Sequence, residues 1–177
     1  MRLASLRPED RARVSELLVA TAAFSSEEVD VALAIFDEIF GDAGGRARSE
    51  GPAFAQPDYE FVGAYDDQHL LGYACFGATP ATEGTYDLYW LAVDPAAQGR
   101  GAGRALVQWV EHELSNRDAR LLVVETSSRP DYEHTRAFYA RAGYAEVARV
   151  RDFYSPADDR IILTTRLTTR EGGVATR

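Results

Sequence analysis

One cysteine, Cys75, is present in the chain of 177 residues, inside the apolar run LLGYACFGA. A single thiol excludes an intrachain disulfide and a thiolate metal cluster, and it suits a reducing compartment. Cys75 itself reads as a small core residue, the usual role of a lone cysteine in apolar company. Histidine is nearly as scarce: His69, His112 and His134 are scattered, without metal-ligand spacing, so no metal site is expected. No stretch approaches the roughly 18 consecutive apolar residues that a membrane span needs. The start, MRLASLRPED, has no apolar stretch of the secretory kind. The expectation is a cytoplasmic protein without a membrane partner. Positive charge is in short supply too, since 19 Lys and Arg face 28 Asp and Glu for a formal net charge of −9. That balance argues against a nucleic-acid partner, which would require clustered basic residues. An acidic surface keeps the chain soluble and mildly favours the approach of cations such as amines.

What is present fits one globular domain: 46% of residues are hydrophobic and 27% charged, and a chain of this length buries roughly 70% of its unfolded surface. Pro8 sits at a first helical position, and Val14, Leu17 and Leu18 share one face of a helix over about 8–20. A second helix begins at Ser25, with Glu28 completing a capping box and Phe24 and Val29 a hydrophobic staple. Its buried face carries Val29, Leu33, Phe36 and Phe40. Residues 41–58, rich in glycine, proline and small side chains, read as a mobile connection.

Strand patterns follow. YEFVGAY and LLGYACFGA flank the turn-like DDQH as an antiparallel hairpin, and a further strand covers about 85–93. The period then changes to that of a helix, with Leu106, Val107, Val110 and Leu114 on its buried face. RLLVVET reads as a strand buried on both faces. A short helix in DYEHTRAFYARAGY ends at Gly143, and strands near 144–153 and 160–168 complete a domain spanning 1–168. The tail, 169–177, is expected to be frayed. The fold expectation is α/β: a mixed, mostly antiparallel sheet of six or seven strands flanked by about four helices.

Between the strand at 85–93 and the next helix lies DPAAQGRGAGRAL, with glycines at 99, 101 and 103. A strand that runs through a glycine turn into a helix presents unpaired backbone N–H groups at the positive end of the helix dipole. Glycine removes the Cβ atoms that would hold an anion away, and Arg100 and Arg104 add charge-assisted donors. This is a cradle of diphosphate size. The NTPase phosphate loop is excluded because no Gly-Lys pair occurs in the chain. The dinucleotide fingerprint G-x-G-x-x-G fails as well, since its third glycine would fall on Arg104 or Leu106.

The segment LAVDPAAQGRGAGRALVQWVEHEL resembles the acyl-CoA binding motif of the GNAT superfamily of N-acyltransferases, V-x-P followed by Q/R-x-x-G-x-G/A and a helix. Gln98, Gly99, Arg100, Gly101, Ala102 and Gly103 fill that pattern. TRAFYARAGY is similar to the later F-Y-x-x-x-G-F segment, with Phe138, Tyr139, Gly143 and Tyr144 in register. The order of elements over 2–168 also matches the family's fold. The chain departs from many relatives in carrying Tyr132 and Thr135 where those carry asparagine and alanine. The resemblance implies acetyl-CoA as cofactor, held by Leu91, Ala92, Val93, the loop from Gln98 to Arg104, Thr135 and Phe138. It further implies direct attack of a neutral amine on the thioester, a backbone N–H near Val93 stabilising the oxyanion, and Tyr139 as the acid for the departing thiolate.

The base stays open between Asp87, on the strand at 85–93, and Glu125, near the end of the next; His134 is a weaker candidate. Acceptor recognition is expected from TAAFSSEE, the 41–58 connection, ETSSRPDYE and VRDFYSPADD. There Phe24, Tyr89, Tyr132 and Tyr154 offer apolar walls, and Arg129 or Arg151 a carboxylate partner. The activity expected is N-acetylation of a primary amine on a small molecule or amino acid. Two alternatives remain: a protein N-terminal or lysine acetyltransferase, and an acyl-CoA-binding sensor without turnover. A homodimer fits the family, although no residue here specifies an interface.

Overall fold

The computed structural model describes residues 1–41 and 59–168. Residues 42–58 of the connection read over 41–58, and the frayed tail read over 169–177, lie outside these.

Strand β1 (Arg2–Ala4) leads to Pro8, which opens a short 3-10 turn running into helix α1 (Arg11–Ala20). Val14, Leu17 and Leu18 are its buried stripe. Helix α2 (Ser26–Phe40) starts as its sequence requires. The Glu28 N–H donates to Ser25 Oγ at 3.2 Å, and the Ser25 N–H donates to Glu28 Oε2 at 2.8 Å. Val29, Ala32 and Phe36 are buried, with Leu33 and Phe40 half-buried beside them. The hairpin of β2 (Glu60–Asp66) and β3 (His69–Ala78) turns through Asp67, and β4 (Thr85–Val93) pairs with β3. Helix α3 (Ala102–Ser115), β5 (Leu121–Ser127), α4 (Glu133–Arg141), β6 (Ala145–Ser155) and β7 (Asp158–Arg166) follow. Gly143, at φ +94°, releases the chain from α4 in a left-handed conformation that suits glycine.

The seven strands form one sheet in the order β1-β2-β3-β4-β5-β7-β6, antiparallel everywhere except between β4 and β5. The β4–β5 ladder runs from Thr85 opposite Leu121 only as far as Leu88 opposite Val124. At that point β4 carries an extra residue: Phe76 faces Leu88, Cys75 faces Trp90, and Tyr89 is left over as a bulge. A bulge bends its strand and increases local twist. Beyond it, β4 and β5 part.

Each sheet face has its own core. On one, Leu106, Val107, Val110 and Leu114 of α3 pack on Val62, Phe76, Leu88, Leu122 and Val124, with Tyr139 and Tyr144 closing the cluster. On the other, α1 and α2 cover Phe61, Tyr65, Tyr73 and Cys75. Cys75 is fully buried, which pushes its thiol pKa well above the ordinary range and leaves it an inert core residue. The expectation that β5 is buried on both faces is corrected. Leu122, Val124 and Thr126 are buried, whereas Leu121 and Val123 are half-buried and Glu125 is exposed. The core beneath α1 and α2 draws on β2, β3 and β4, so the second face of β5 lies outside it. Among the described residues no helix is long and apolar enough to cross a membrane.

Candidate active site

A cleft of about 850 Å³ opens where β4 and β5 separate. Leu91 and Val93 line it from β4, Val124 and Thr126 from β5, and Phe138 and Tyr139 from α4. Toward the α3 side its wall is the glycine loop; the α1–α2 turn and the segment ahead of α4 form the rest.

The loop is built for backbone contact. Gly99 and Gly101 have φ of +74° and +89°, a region costly for other residues, and Gly101 is the residue at which α3 begins. The first helical bond runs from the Ala105 N–H to the Gly101 carbonyl at 2.9 Å, and no side chain among the described residues caps the helix. The N–H groups of Ala102, Gly103 and Arg104 therefore stay without intrahelical acceptors, on residues that line the cleft. Among the described residues a Cβ at Gly99 or Gly101 would meet nothing within 4 Å. Gln98 and Arg104 also line the cleft. Arg100 points elsewhere: its side chain is 62% exposed, 3.6 Å from Asp66. Ala92 is buried in the core beneath α1 and α2 and is not among the residues lining the cleft.

Deeper in, Tyr139 is 4% exposed, with its ring 5.1 Å from Phe138 and 5.2 Å from Tyr144. Burial raises its hydroxyl pKa well above the ordinary value, so the group keeps its proton. Thr135 and His134 line the cleft as well. Thr126 does too, and its Oγ1 is buried with no hydrogen-bond partner among the described residues. Sequence reading passed over Thr126. The only signal was a hydroxyl residue closing the apolar run LLVVET.

The two carboxylate candidates have different surroundings. Glu125 lines the cleft and is ion-paired with Arg160, whose guanidinium lies 4.9 Å over the Phe153 ring. Asp87 accepts a hydrogen bond from Thr79 Oγ1 at 2.6 Å and is not among the lining residues. Both act on Tyr89, whose hydroxyl pKa is raised by burial first and by Asp87 next, with Glu125 contributing least, after Tyr59 and Cys75.

Of the residues expected to meet the acceptor, Phe24, Tyr89 and Tyr132 line the cleft together. The Tyr132 hydroxyl donates to the Ala23 carbonyl. Arg129 is turned to other work: it stacks 5.2 Å over the Tyr132 ring, 3.2 Å from Asp131 and 3.9 Å from Asp158. Tyr154 is 48% exposed and packs edge-on against Phe153 at 5.0 Å; neither it nor Arg129 lines the cleft.

The arrangement combines an anion cradle, an apolar channel with one orphaned hydroxyl, a buried phenol and a carboxylate at an aromatic mouth. Such a cleft suits an extended molecule with phosphates at one end and a reactive group near Tyr139.

Residues 23–144 match the model of the acetyltransferase (GNAT) family. Over 103 residues the chain is 38% identical to N-alpha-acetyltransferase RimI of Mycobacterium tuberculosis. That stretch is 56% of this chain and 61% of the relative, so the match spans less than two thirds of the relative's length. A solved GNAT-family protein from Desulfovibrio desulfuricans is 41% identical, with a TM-score of 0.80 over 94% of this chain and 100% of that one. An aminoglycoside 6'-N-acetyltransferase solved with coenzyme A shares the fold at 20% identity, with a TM-score of 0.64 over 96% of this chain and 99% of its own.

Proposed function

Because the chain belongs to the GNAT acetyltransferase family, we propose that it transfers the acetyl group of acetyl-CoA to a primary amine of a small molecule or amino acid. The observation that carries this reading is the start of α3, uncapped among the described residues: the N–H groups of Ala102, Gly103 and Arg104 have no acceptor there, and these residues line the same cleft as Tyr139 and Glu125. The residues fit the cofactor. The cradle and the Arg104 guanidinium would hold the pyrophosphate. Leu91, Ala92 and Val93 would offer the free backbone edge of β4 to the pantetheine arm, with Thr135 and Phe138 alongside.

Bound acetyl-CoA would supply an acyl group activated as a thioester. The chain's own part is electrostatic and acid–base. A backbone N–H near Val93 would stabilise negative charge developing on the acyl oxygen, and Tyr139, kept protonated by burial, would hold a proton toward the departing sulfur. Glu125, directly or through water, would take the proton from the acceptor's ammonium, so that the neutral amine can attack.

Arg160 competes for the Glu125 oxygens, which makes the acceptor's own basicity matter. An alkyl amine near 10.4 costs about 4 to 5 kcal/mol to deprotonate at neutral pH, an α-amine near 8 only about 1. An α-amine is the easier acceptor. A second reading, acetylation of a protein N-terminus, is favoured by the likeness to N-alpha-acetyltransferase RimI and would use the same low-pKa amine.

The test is free-thiol release from acetyl-CoA across amino acids, polyamines, aminoglycosides and short peptides, with calorimetric titration of the cofactor alongside. Turnover with one amine class fixes the acceptor. Binding of cofactor without turnover on any amine supports an acyl-CoA sensor, and absence of binding overturns the reading of the glycine loop.

A further inference from the structure

Two segments that line the same cleft, far apart in sequence, are joined by one hydrogen bond. Tyr132, ahead of α4, donates from its hydroxyl to the carbonyl of Ala23, in the turn between α1 and α2. The side of Tyr132 is rigid. Arg129 lies 5.2 Å over its ring and is held by Asp131 at 3.2 Å. The Arg129 N–H donates to Ser127 Oγ at 3.0 Å, and Arg136 Nη1 donates to the carbonyls of Ser127 and Arg129 at 2.8 and 2.9 Å. The side of Ala23 is under tension instead: Ala22 has φ +52°, a left-handed conformation that an alanine adopts at a cost. A turn of that kind persists where its surroundings hold it.

Resting on the acetyl-transfer reading, we propose that Tyr132 is the specificity-determining residue of the acceptor site. Its hydroxyl ties the α1–α2 turn, with Phe24, to the rigid segment before α4, and so narrows the mouth to compact primary amines. Peptides and aminoglycosides are kept out by this closure. Tyr132 acts through the turn it holds, so it is a positioning residue and takes no part in proton transfer.

Tyr132→Phe keeps the ring and the stacked Arg129 and removes only the donor. In the full chain, hydrogen exchange over residues 21–25 should accelerate by about tenfold, the loss of one hydrogen bond. The ratio of kcat/KM for a tripeptide or an aminoglycoside to that for glycinamide should rise by about five- to tenfold. Calorimetric affinity for coenzyme A should stay within about twofold, because the cradle is untouched. Unchanged exchange, or an unchanged ratio in an active variant, overturns the role of Tyr132 alone. A wild-type enzyme that prefers the tripeptide to glycinamide overturns it too. Absence of turnover in the wild type overturns the acetyl-transfer reading, and the acceptor selection falls with it.

Discussion

Arg13 of α1 and Asp94, the residue that leaves β4, form an ion pair that joins the first helix to the turn after β4. Arg13 Nε also donates to the Leu70 carbonyl at 3.1 Å, and Asp94 Oδ1 accepts the Ala96 N–H at 2.8 Å. One carboxylate thus fastens the first helix and caps the turn that feeds the glycine loop. The Asp94 pKa is lowered, first by the Ala96 N–H and then by Arg13. A depressed folded-state value means stabilisation that is complete above the unfolded pKa, near 3.8, and lost as pH falls through the lower folded value. Asp94→Asn should cost about 1 kcal/mol in urea unfolding at pH 7. Its gap to wild type should hold down to about pH 4 and close below it. A gap that persists at pH 2 would show that geometry, not charge, is at stake.

Gly101 and Gly103 separate what the backbone needs from what the helix tolerates. Gly101 is at φ +89°, so Gly101→Ala should lose about 1 to 2 kcal/mol of stability and most coenzyme A affinity as the loop is displaced. Gly103 is helical, and a Cβ there would meet Phe138 and Val93 at 3.6 Å, an ordinary contact. Gly103→Ala should gain up to about 1 kcal/mol from helix propensity and bind coenzyme A within a few-fold of wild type. Thermal unfolding and calorimetry on the pair decide it. Equal losses in both would mean that the loop responds to bulk and not to dihedral strain.

Much of this was legible in the sequence because the signals were local. The Ser25–Glu28 capping box, the switch from strand to helix period at Gly101 and the glycine after α4 each act within a few residues, and each element forms where they place it. What the sequence could not convey was direction across the sheet. Asp87 and Glu125 are equivalent as strand carboxylates in sequence, yet only Glu125 reaches the cleft, because β4 pairs with β5 through Leu88 and parts from it afterwards. Arg129 looked available for a substrate carboxylate until the fold brought Asp158 to it from β7. Arg160, the partner that Glu125 actually meets, is distant in sequence and had no local mark.

Tyr139 should behave as an acid that never titrates in the working range. Burial raises its pKa above the ordinary 10, so its hydroxyl stays protonated. Tyr139→Phe should reduce kcat by about 100-fold, a typical acid–base contribution, while coenzyme A affinity changes little. The wild-type rate should show no alkaline decline below about pH 10 that vanishes in the variant. Such a decline, or an unchanged kcat, would remove Tyr139 from proton transfer.

Thr126 offers a test whose two halves have opposite sign. Its residue is 5% exposed and its Oγ1 has no partner among the described residues, although it lines the cleft beside the channel toward Tyr139. A buried hydroxyl without a hydrogen bond costs about 1 to 3 kcal/mol. Thr126→Val keeps the shape and suits a strand, so the ligand-free protein should become more stable by about 1 kcal/mol in urea unfolding. The same change should weaken coenzyme A binding several-fold, because an amide of the bound arm would meet a methyl group in place of a hydroxyl. Thr126→Ser, which retains the oxygen, should restore the affinity without the added stability. If Thr126→Val instead destabilises the free protein, the hydroxyl already has a partner such as an ordered water; if affinity is unaffected, the orphaned group plays no part in holding the arm.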